Sequence, residues 1–133
     1  MNIIFTDIDG VLNPKFSKKW NLKCINIYNS ICNDFELQPV ITSTWRIRYN
    51  ISQLQDIFIN QGITQKIYDY TPILSCERGI EISQWLKEND CNKYIVIDDK
   101  ISDIEKYVSN VIHCKGWIGL TNDHYEDIKK LLK

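Results

Sequence analysis

The chain has 133 residues, a formal net charge of −1 and a hydrophobic fraction of 44%, which together predict one globular domain over 1–133. A charge this close to zero argues against broad nonspecific binding to nucleic acid, because such binding needs a strongly basic surface. No apolar run approaches the length of a membrane helix and the N-terminus lacks a secretory pattern, so we expect a cytoplasmic protein with no membrane partner.

The first half of the chain alternates between strand and helix patterns. A nearly continuous apolar run predicts a strand over 2–8, and apolar residues at helical spacing predict a helix over 22–35. A second strand is predicted over 38–45, where a proline stands near the start, and a second helix over 51–60. A weaker apolar pattern predicts the third strand over 63–70.

The second half repeats this alternation. An amphipathic helix is predicted over 77–90, a strand over 93–100 and a short helix over 102–108. A strand over 110–114 and a helix over 122–132 complete the chain. Strands that alternate with helices predict an α/β fold with a mainly parallel sheet and right-handed crossovers.

Polar side chains stand where three of the predicted strands end. They are Asp7 and Asp9, the Thr-Ser-Thr segment 42–44, and Asp98 with Asp99. Ligands of open parallel sheets bind beyond the carboxyl ends of the strands, so we expect these groups to share one crevice. Up to four carboxylates in one place repel one another unless a cation lies between them. Mg²⁺ takes one or two carboxylates together with water and substrate phosphate, so the pattern predicts a Mg²⁺ site.

The same residues fit the hydrolysis of a phosphate ester. Asp7 is a candidate nucleophile that forms an aspartyl-phosphate, and Asp9 is a candidate acid for the leaving oxygen and base for the attacking water. Mg²⁺ would weaken the repulsion between a carboxylate and a phosphate. Thr42 or Ser43 is a candidate hydrogen-bond donor to a phosphoryl oxygen, and Arg78 a candidate for neutralising its charge.

These segments carry a resemblance to a known superfamily. DIDGVLN (7–13), VITSTWR (40–46) and VIDDKISD (96–103) resemble the first, second and fourth motifs of the haloacid dehalogenase-like (HAD) phosphohydrolases. TPILSCERGIEISQWL (71–86) and GLTNDHYEDIKKLL (119–132) are similar to a small subgroup of that superfamily. The segments occur in the expected order and cover essentially the whole chain.

The resemblance implies a fold and a metal site. The fold is a Rossmann-like three-layer sandwich with five strands in the order 3-2-1-4-5 and no substantial cap domain. Asp7 would be the nucleophile and a Mg²⁺ ligand, and Asp9 the acid/base whose backbone carbonyl also binds the metal. Asp99 or Asp98 would complete the metal site, with Asp103 as a supporting residue.

The second and third motifs leave alternatives open. By resemblance Thr42 takes the second-motif role, and Ser43 is the adjacent alternative. Arg78 is the expected basic residue of the third motif, although Lys66 or Lys100 could serve instead.

The expected function is a Mg²⁺-dependent phosphatase that works through an aspartyl-phosphate. Segment 14–20 is too short for a cap, and an open site favours a large substrate such as a nucleic-acid end or a phosphoprotein. A small phosphorylated molecule such as a nucleotide stays open as an alternative, as does the choice between a monomer and a small homo-oligomer. The alternative function is a non-catalytic HAD-like module that binds phosphate or metal and regulates a partner. A receiver-type domain is more distant, because its accepting aspartate lies on a later strand.

Overall fold

The computed structural model describes residues 1–14 and 19–133. At its centre lies a sheet of five strands, β1 (Asn2–Thr6), β2 (Leu37–Ile41), β3 (Asp69–Tyr70), β4 (Lys93–Asp98) and β5 (Val111–His113). Neighbouring strands are all parallel and follow the order β3-β2-β1-β4-β5. Both the parallel α/β sheet and its predicted strand order are confirmed.

Helices flank the sheet. Those in the described ranges are α1 (Leu22–Asp34), α2 (Trp45–Arg48), α3 (Ile51–Gln61), α4 (Arg78–Glu88), α5 (Ser102–Glu105) and α6 (Asn122–Leu131). None of these helices combines the length and apolar character needed to cross a membrane. No cap domain is inserted between the described elements. The sequence predicted that segment 14–20 is too short for a cap, and residues 15–18 of that segment lie outside the described residues.

The side chains of β1 alternate between two apolar layers. Ile4 packs in a cluster with residues of α1, α3 and α6, whereas Ile3 and Phe5 pack in a second cluster with residues of α4 and α5. All three side chains are fully buried. The apolar run of the first strand is therefore continuous because helices cover both faces of the sheet at its centre.

Two predicted strands are much longer than the observed ones, whereas the other three overrun by one or two residues at an end. β2 ends at Ile41 instead of residue 45, because the chain turns at Ser43, whose carbonyl accepts the N–H of Arg46 (3.1 Å), and enters α2, a helix that the sequence did not predict. β3 has two residues instead of the range 63–70. The N–H of Ile67 donates to the side chain of Gln55 on α3 (2.7 Å), which keeps the preceding segment out of the sheet.

Candidate active site

The register of the sheet brings its polar strand ends together. The N–H of Thr42 donates to the carbonyl of Thr6 (3.0 Å), and the N–H of Asp7 donates to the carbonyl of Ile97 (3.2 Å). These bonds continue the pairing of β1 with β2 on one side and with β4 on the other. Asp7 therefore lies at the carboxyl edge of the sheet between Thr42 and Asp98.

Three aspartates form a carboxylate cluster at this edge. Asp7, Asp98 and Asp99 each offer a carboxylate oxygen, and these oxygens lie within 4.8 Å of one another. Asp7 and Asp98 are buried, and Asp99 is half-buried. The turn at Gly10 approaches this cluster closely, because a Cβ at that position would lie 2.6 Å from the carboxyl carbon of Asp99. Gly10 also has a positive φ of 87°, so the turn requires glycine on both grounds.

The carboxylate of Asp9 stands apart from this cluster. Trp45 Nε1 donates a hydrogen bond to Asp9 Oδ2 (3.0 Å), and Asn13 Nδ2 donates one to Asp9 Oδ1 (3.2 Å). All four aspartates expected at the sheet edge line one cleft, and among the described residues three of them form the close cluster while Asp9 lies outside it. Because one N–H group holds each oxygen, the exposed Asp9 side chain keeps a fixed position on the wall of the cleft.

Arg78 is the basic residue that contacts the carboxylates. Its Nη1 lies 2.7 Å from Asp98 Oδ2 and 3.2 Å from Asp7 Oδ1, and its side chain is 24% exposed. Lys100 lines the same cleft and donates its backbone N–H to Asp98 Oδ1 (2.9 Å), whereas Lys66 is not among the described lining residues. Of the three basic candidates, Arg78 is thus the one whose charged group the described structure pairs with the cluster.

Burial and mutual repulsion shift the pKa values of this cluster. Burial raises the pKa of the Asp7 carboxyl well above its ordinary value, the charge of Asp98 adds to the rise, and Arg78 opposes it. Burial likewise raises the pKa of Asp98, again against Arg78. Burial alone would lower the pKa of Arg78, but the two carboxylates outweigh it and the pKa rises. Burial therefore disfavours the ionised form of both carboxyl groups, and Arg78 offsets part of that effect.

Thr42 and Ser43 differ in their surroundings. Thr42 is fully buried, and its Oγ1 has no hydrogen-bond partner among the described residues. Ser43 Oγ accepts the backbone N–H of Trp45 (3.2 Å), and Ser43 lines the cleft. A buried hydroxyl without a partner is costly, so the free energy of the site falls when a ligand satisfies Thr42 Oγ1.

A second buried ion pair fixes the segment after β3. Arg46 donates hydrogen bonds to the backbone carbonyls of Thr42, Ser43, Thr71 and Pro72. Its Nη2 lies 2.8 Å from Glu81 Oε1, and Glu81 Oε2 accepts the N–H of Leu74 (2.9 Å). The sequence did not predict this pair, whose signs there are the arginine that ends the segment 40–46 and a glutamate in the predicted helix 77–90. The pair joins α2, α4 and the segment 71–74 into one rigid wall.

These groups line one open cleft of about 470 Å³. Its lining includes the carboxylate cluster, Asp9, Ser43, Arg78, Lys100 and Asp103. Of the other candidate site residues, Thr42 lies buried beside them, and Lys66 is not among the described lining residues. Gly79 allows the start of α4 to lie against α5, because a Cβ there would be 2.7 Å from the carbonyl of Asp103. That close packing places Arg78 over the sheet edge.

The donor set fits a hard divalent cation. Asp7, Asp98 and Asp99 supply oxygen ligands within 4.8 Å of one another, which is the ligand type that Mg²⁺ prefers in proteins. Burial raises the pKa of Asp7 and that of Asp98, and a cation bound between the carboxylates would favour their ionised form. The residues present are therefore suited to a metal of this class.

The chain matches one known protein family over most of its length. The family described as the HAD domain in Swiss Army Knife RNA repair proteins matches residues 3–125, from β1 into α6. No curated protein and no solved structure matches the chain. The matched range contains every element that forms the cleft, and HAD domains of this kind point to hydrolase chemistry. The chain therefore belongs to the family of HAD domains of Swiss Army Knife RNA repair proteins.

Proposed function

We propose that this protein is a Mg²⁺-dependent phosphomonoesterase that forms an aspartyl-phosphate on Asp7 and acts on a phosphorylated nucleic-acid end in the cytoplasm. The observation that carries the proposal is the contact of Arg78 with Asp7 inside a cluster of three aspartates at the sheet edge. A carboxylate beside a guanidinium and two further carboxylates is the set needed to bring a phosphate dianion and a metal to one nucleophile.

The metal has one role in this proposal. Asp7, Asp98 and Asp99 would hold Mg²⁺ through their carboxylate oxygens, with the backbone carbonyl of Asp9 as an additional ligand by resemblance to the superfamily. When bound, the ion lowers the repulsion between the nucleophile and the phosphate and keeps the carboxyl groups ionised.

The chain's own residues then divide the chemistry. A carboxylate oxygen of Asp7 attacks phosphorus while the ester P–O bond breaks, and Asp9 gives its proton to the departing alkoxide. Asp9 next takes a proton from water, the water oxygen attacks phosphorus, and the bond to Asp7 breaks to release inorganic phosphate. Arg78 and the hydroxyl of Thr42 stabilise charge on the phosphoryl oxygens, with the Ser43 group beside them. Asp103 lines the cleft, and its role as a supporting residue of the metal site comes from the resemblance to the superfamily.

The substrate class rests on two observations. The family that matches the chain is named for RNA repair proteins, and the cleft is open to solvent with no cap domain in the described residues. A nucleic-acid end can enter an open cleft with the rest of the strand outside it. The net charge of −1 favours recognition of the end itself over binding along the phosphate backbone. We expect a monomer to suffice, because the proposed groups all come from one chain.

The experiment that tests the function is hydrolysis of p-nitrophenyl phosphate with Mg²⁺ and with EDTA. Wild-type protein should release p-nitrophenol only with Mg²⁺, and Asp7→Asn should lower kcat by more than about a thousandfold, because the amide cannot act as the nucleophile. Asp56→Asn, at an exposed position of α3, is the matched control and should retain full activity. Oligoribonucleotides with 5′- or 3′-phosphates, mononucleotides and phosphopeptides then define the substrate.

The alternative is a non-catalytic HAD module that binds a phosphorylated partner. Saturable binding of a phosphorylated oligoribonucleotide, with no phosphate released from any ester class, would establish that alternative. Activity that survives Asp7→Asn would refute the proposed chemistry outright.

A further inference from the structure

Two exposed isoleucines line the same cleft as the carboxylates. Ile47 on α2 is 61% exposed and Ile73, after β3, is 53% exposed. Single exposed apolar side chains are ordinary on protein surfaces, so exposure alone carries no meaning. Ile59 on α3 is exposed to the same extent as Ile47 but is not among the lining residues. What distinguishes the first two is that both border the site of the proposed chemistry.

The buried ion pair holds both isoleucines in place. Arg46 directly precedes Ile47 on α2, and its Nη2 donates to the carbonyl of Pro72, the residue before Ile73 (3.3 Å). On the other side of Ile73, the N–H of Leu74 donates to Glu81 Oε2 (2.9 Å). The chain on both sides of Ile73 is thereby fixed to a buried side chain. An apolar surface held this way costs little ordering on binding and is suited to receive a ligand.

Chemical groups follow the same order along both walls of the cleft. On one wall the chain runs from Ser43 through the exposed Thr44 to Ile47; Thr44 and Ile47 also line the cleft. Ser43 precedes α2 and Ile47 lies within it, four residues further along the chain.

The other wall repeats this order. From Arg78 the chain runs back through the exposed Ser75 to Ile73, and all three residues line the cleft. Along the chain each wall thus has a candidate phosphate-binding residue, a hydroxyl residue and an isoleucine, and on the second wall Cys76 and Glu77 also line the cleft between Arg78 and Ser75. A nucleotide presents the matching series of a charged phosphate, a hydroxyl-bearing sugar and a flat base with apolar faces.

We propose that Ile47 and Ile73 form a base subsite, which receives the base of the nucleotide that carries the phosphate. This inference rests on the proposed function and adds to it the group that recognises the substrate. The contact is apolar and reads no base edge, so the subsite accepts all four bases. Because the net charge of −1 offers little general attraction to a phosphate backbone, burial of the base contributes much of the affinity for the end.

The test compares phosphorylated ribose with and without a base; adenosine 5′-monophosphate and ribose 5-phosphate are the pair that shares its phosphate position. Adenosine 5′-monophosphate and adenosine 3′-monophosphate carry the base, whereas ribose 5-phosphate lacks it. Wild-type protein should show a higher kcat/KM for at least one adenosine monophosphate than for ribose 5-phosphate. The double variant Ile47→Ser/Ile73→Ser should reduce that preference by about tenfold, through KM rather than kcat. Ile59→Ser, which changes an equally exposed isoleucine outside the cleft, should leave the preference unchanged.

A binding measurement separates failure of the subsite from failure of the chemistry. Calorimetric titration of Asp7→Asn with each adenosine monophosphate and with ribose 5-phosphate, in Mg²⁺, measures the same preference without turnover. A preference that the double variant does not change overturns the base subsite and leaves the phosphatase standing. If wild-type protein releases phosphate from no ester class while the binding preference depends on Ile47 and Ile73, the subsite is supported and the phosphatase is refuted. A phosphopeptide that binds more tightly through the same isoleucines also overturns the base subsite.

Discussion

Two arginines line the cleft, and their surroundings differ sharply. The side chain of Arg46 is 3% exposed, and its donors are directed at four backbone carbonyls and at Glu81. The side chain of Arg78 is 24% exposed, and its Nη1 contacts the carboxylates of Asp7 and Asp98. Burial lowers the pKa of Arg46 against the opposing effect of Glu81, whereas the pKa of Arg78 is raised.

The difference separates a structural charge from a functional one. Carbonyls of fixed backbone cannot leave Arg46, so its guanidinium is committed to holding the wall of the cleft. The partners of Arg78 are carboxylates whose charge a metal can take over, which leaves the guanidinium able to turn to a phosphoryl oxygen. Substituting each arginine in the same way therefore tests the comparison directly.

Arg46→Ala should give the largest effect on stability. The substitution leaves Glu81 buried without its charge partner and removes the donors to four carbonyls, so the free energy of unfolding should fall by about 3 to 5 kcal/mol. Urea denaturation measures the change. Mg²⁺ should not restore the lost stability, because the carboxylate cluster lies outside this pair.

A milder variant keeps this prediction testable if Arg46→Ala fails to fold. Glu81→Gln retains an acceptor for Arg46 but removes the charge, and we expect a loss of about 1 to 3 kcal/mol. If either variant keeps its stability and loses activity, Arg46 belongs to the substrate-binding groups, and the distinction between a structural Arg46 and a functional Arg78 is wrong.

Arg78→Ala should affect activity instead. Loss of the charge that stabilises the phosphoryl group should lower kcat for p-nitrophenyl phosphate by about 10²- to 10³-fold. In EDTA the melting temperature should also fall, because Asp7 and Asp98 lose their cationic neighbour. Saturating Mg²⁺ should recover most of that stability, because the ion neutralises the same carboxylates.

The control for this prediction lies on α2. Arg48→Ala removes an exposed guanidinium whose Cζ lies 5.6 Å from the centroid of the Tyr49 ring. Arg48 is not among the residues described as lining the cleft, so kcat and the melting temperature should both stay near their wild-type values. If Arg78→Ala loses stability that Mg²⁺ cannot restore and keeps its activity, then Arg78 is structural like Arg46.

The parts of the fold that follow from hydrophobic periodicity and from polar residues at strand ends could be predicted from the sequence. The apolar runs before Asp7 and Asp98 identify strands buried on both faces, and parallel pairing then places their ends together. β3 was overestimated because the two buried isoleucines of the segment 63–67 give the same pattern whether the segment pairs with a strand or packs beside a helix.

The parts that depend on one side-chain contact could not be read from the sequence. The short helix α2 forms where Arg46 bends back onto the carbonyls of Thr42 and Ser43, a contact with no periodic signal. The position of Asp9 is likewise decided by an indole N–H that is distant along the chain. The sequence spacing predicted that Asp9 lies beside Asp7, and the hydrogen bond from Trp45 holds the Asp9 carboxylate on the wall of the cleft.

Trp45→Phe gives the smallest expected effect on activity. It tests a neutral hydrogen-bond donor, the indole N–H of Trp45, in place of the two arginines. Phenylalanine keeps much of the ring packing against Trp20, whose centroid lies 5.3 Å from that of Trp45, but it cannot donate to Asp9. Asp9 would keep only the hydrogen bond from Asn13 and would spend less time in the position needed for proton transfer. We therefore expect kcat to fall about tenfold with little change in KM.

The matched control removes the same kind of bond away from the cleft. Trp85 Nε1 donates to Asp69 Oδ2 (2.8 Å), and neither residue is among those lining the cleft in the described chain. Trp85→Phe should therefore lower the melting temperature and leave kcat near its wild-type value. Equal losses of kcat in both variants would mean that the indole bond to Asp9 acts only through general stability. A fall in kcat confined to Trp45→Phe would assign α2 two tasks, in which Arg46 fixes the wall of the cleft and its neighbour Trp45 positions the acid.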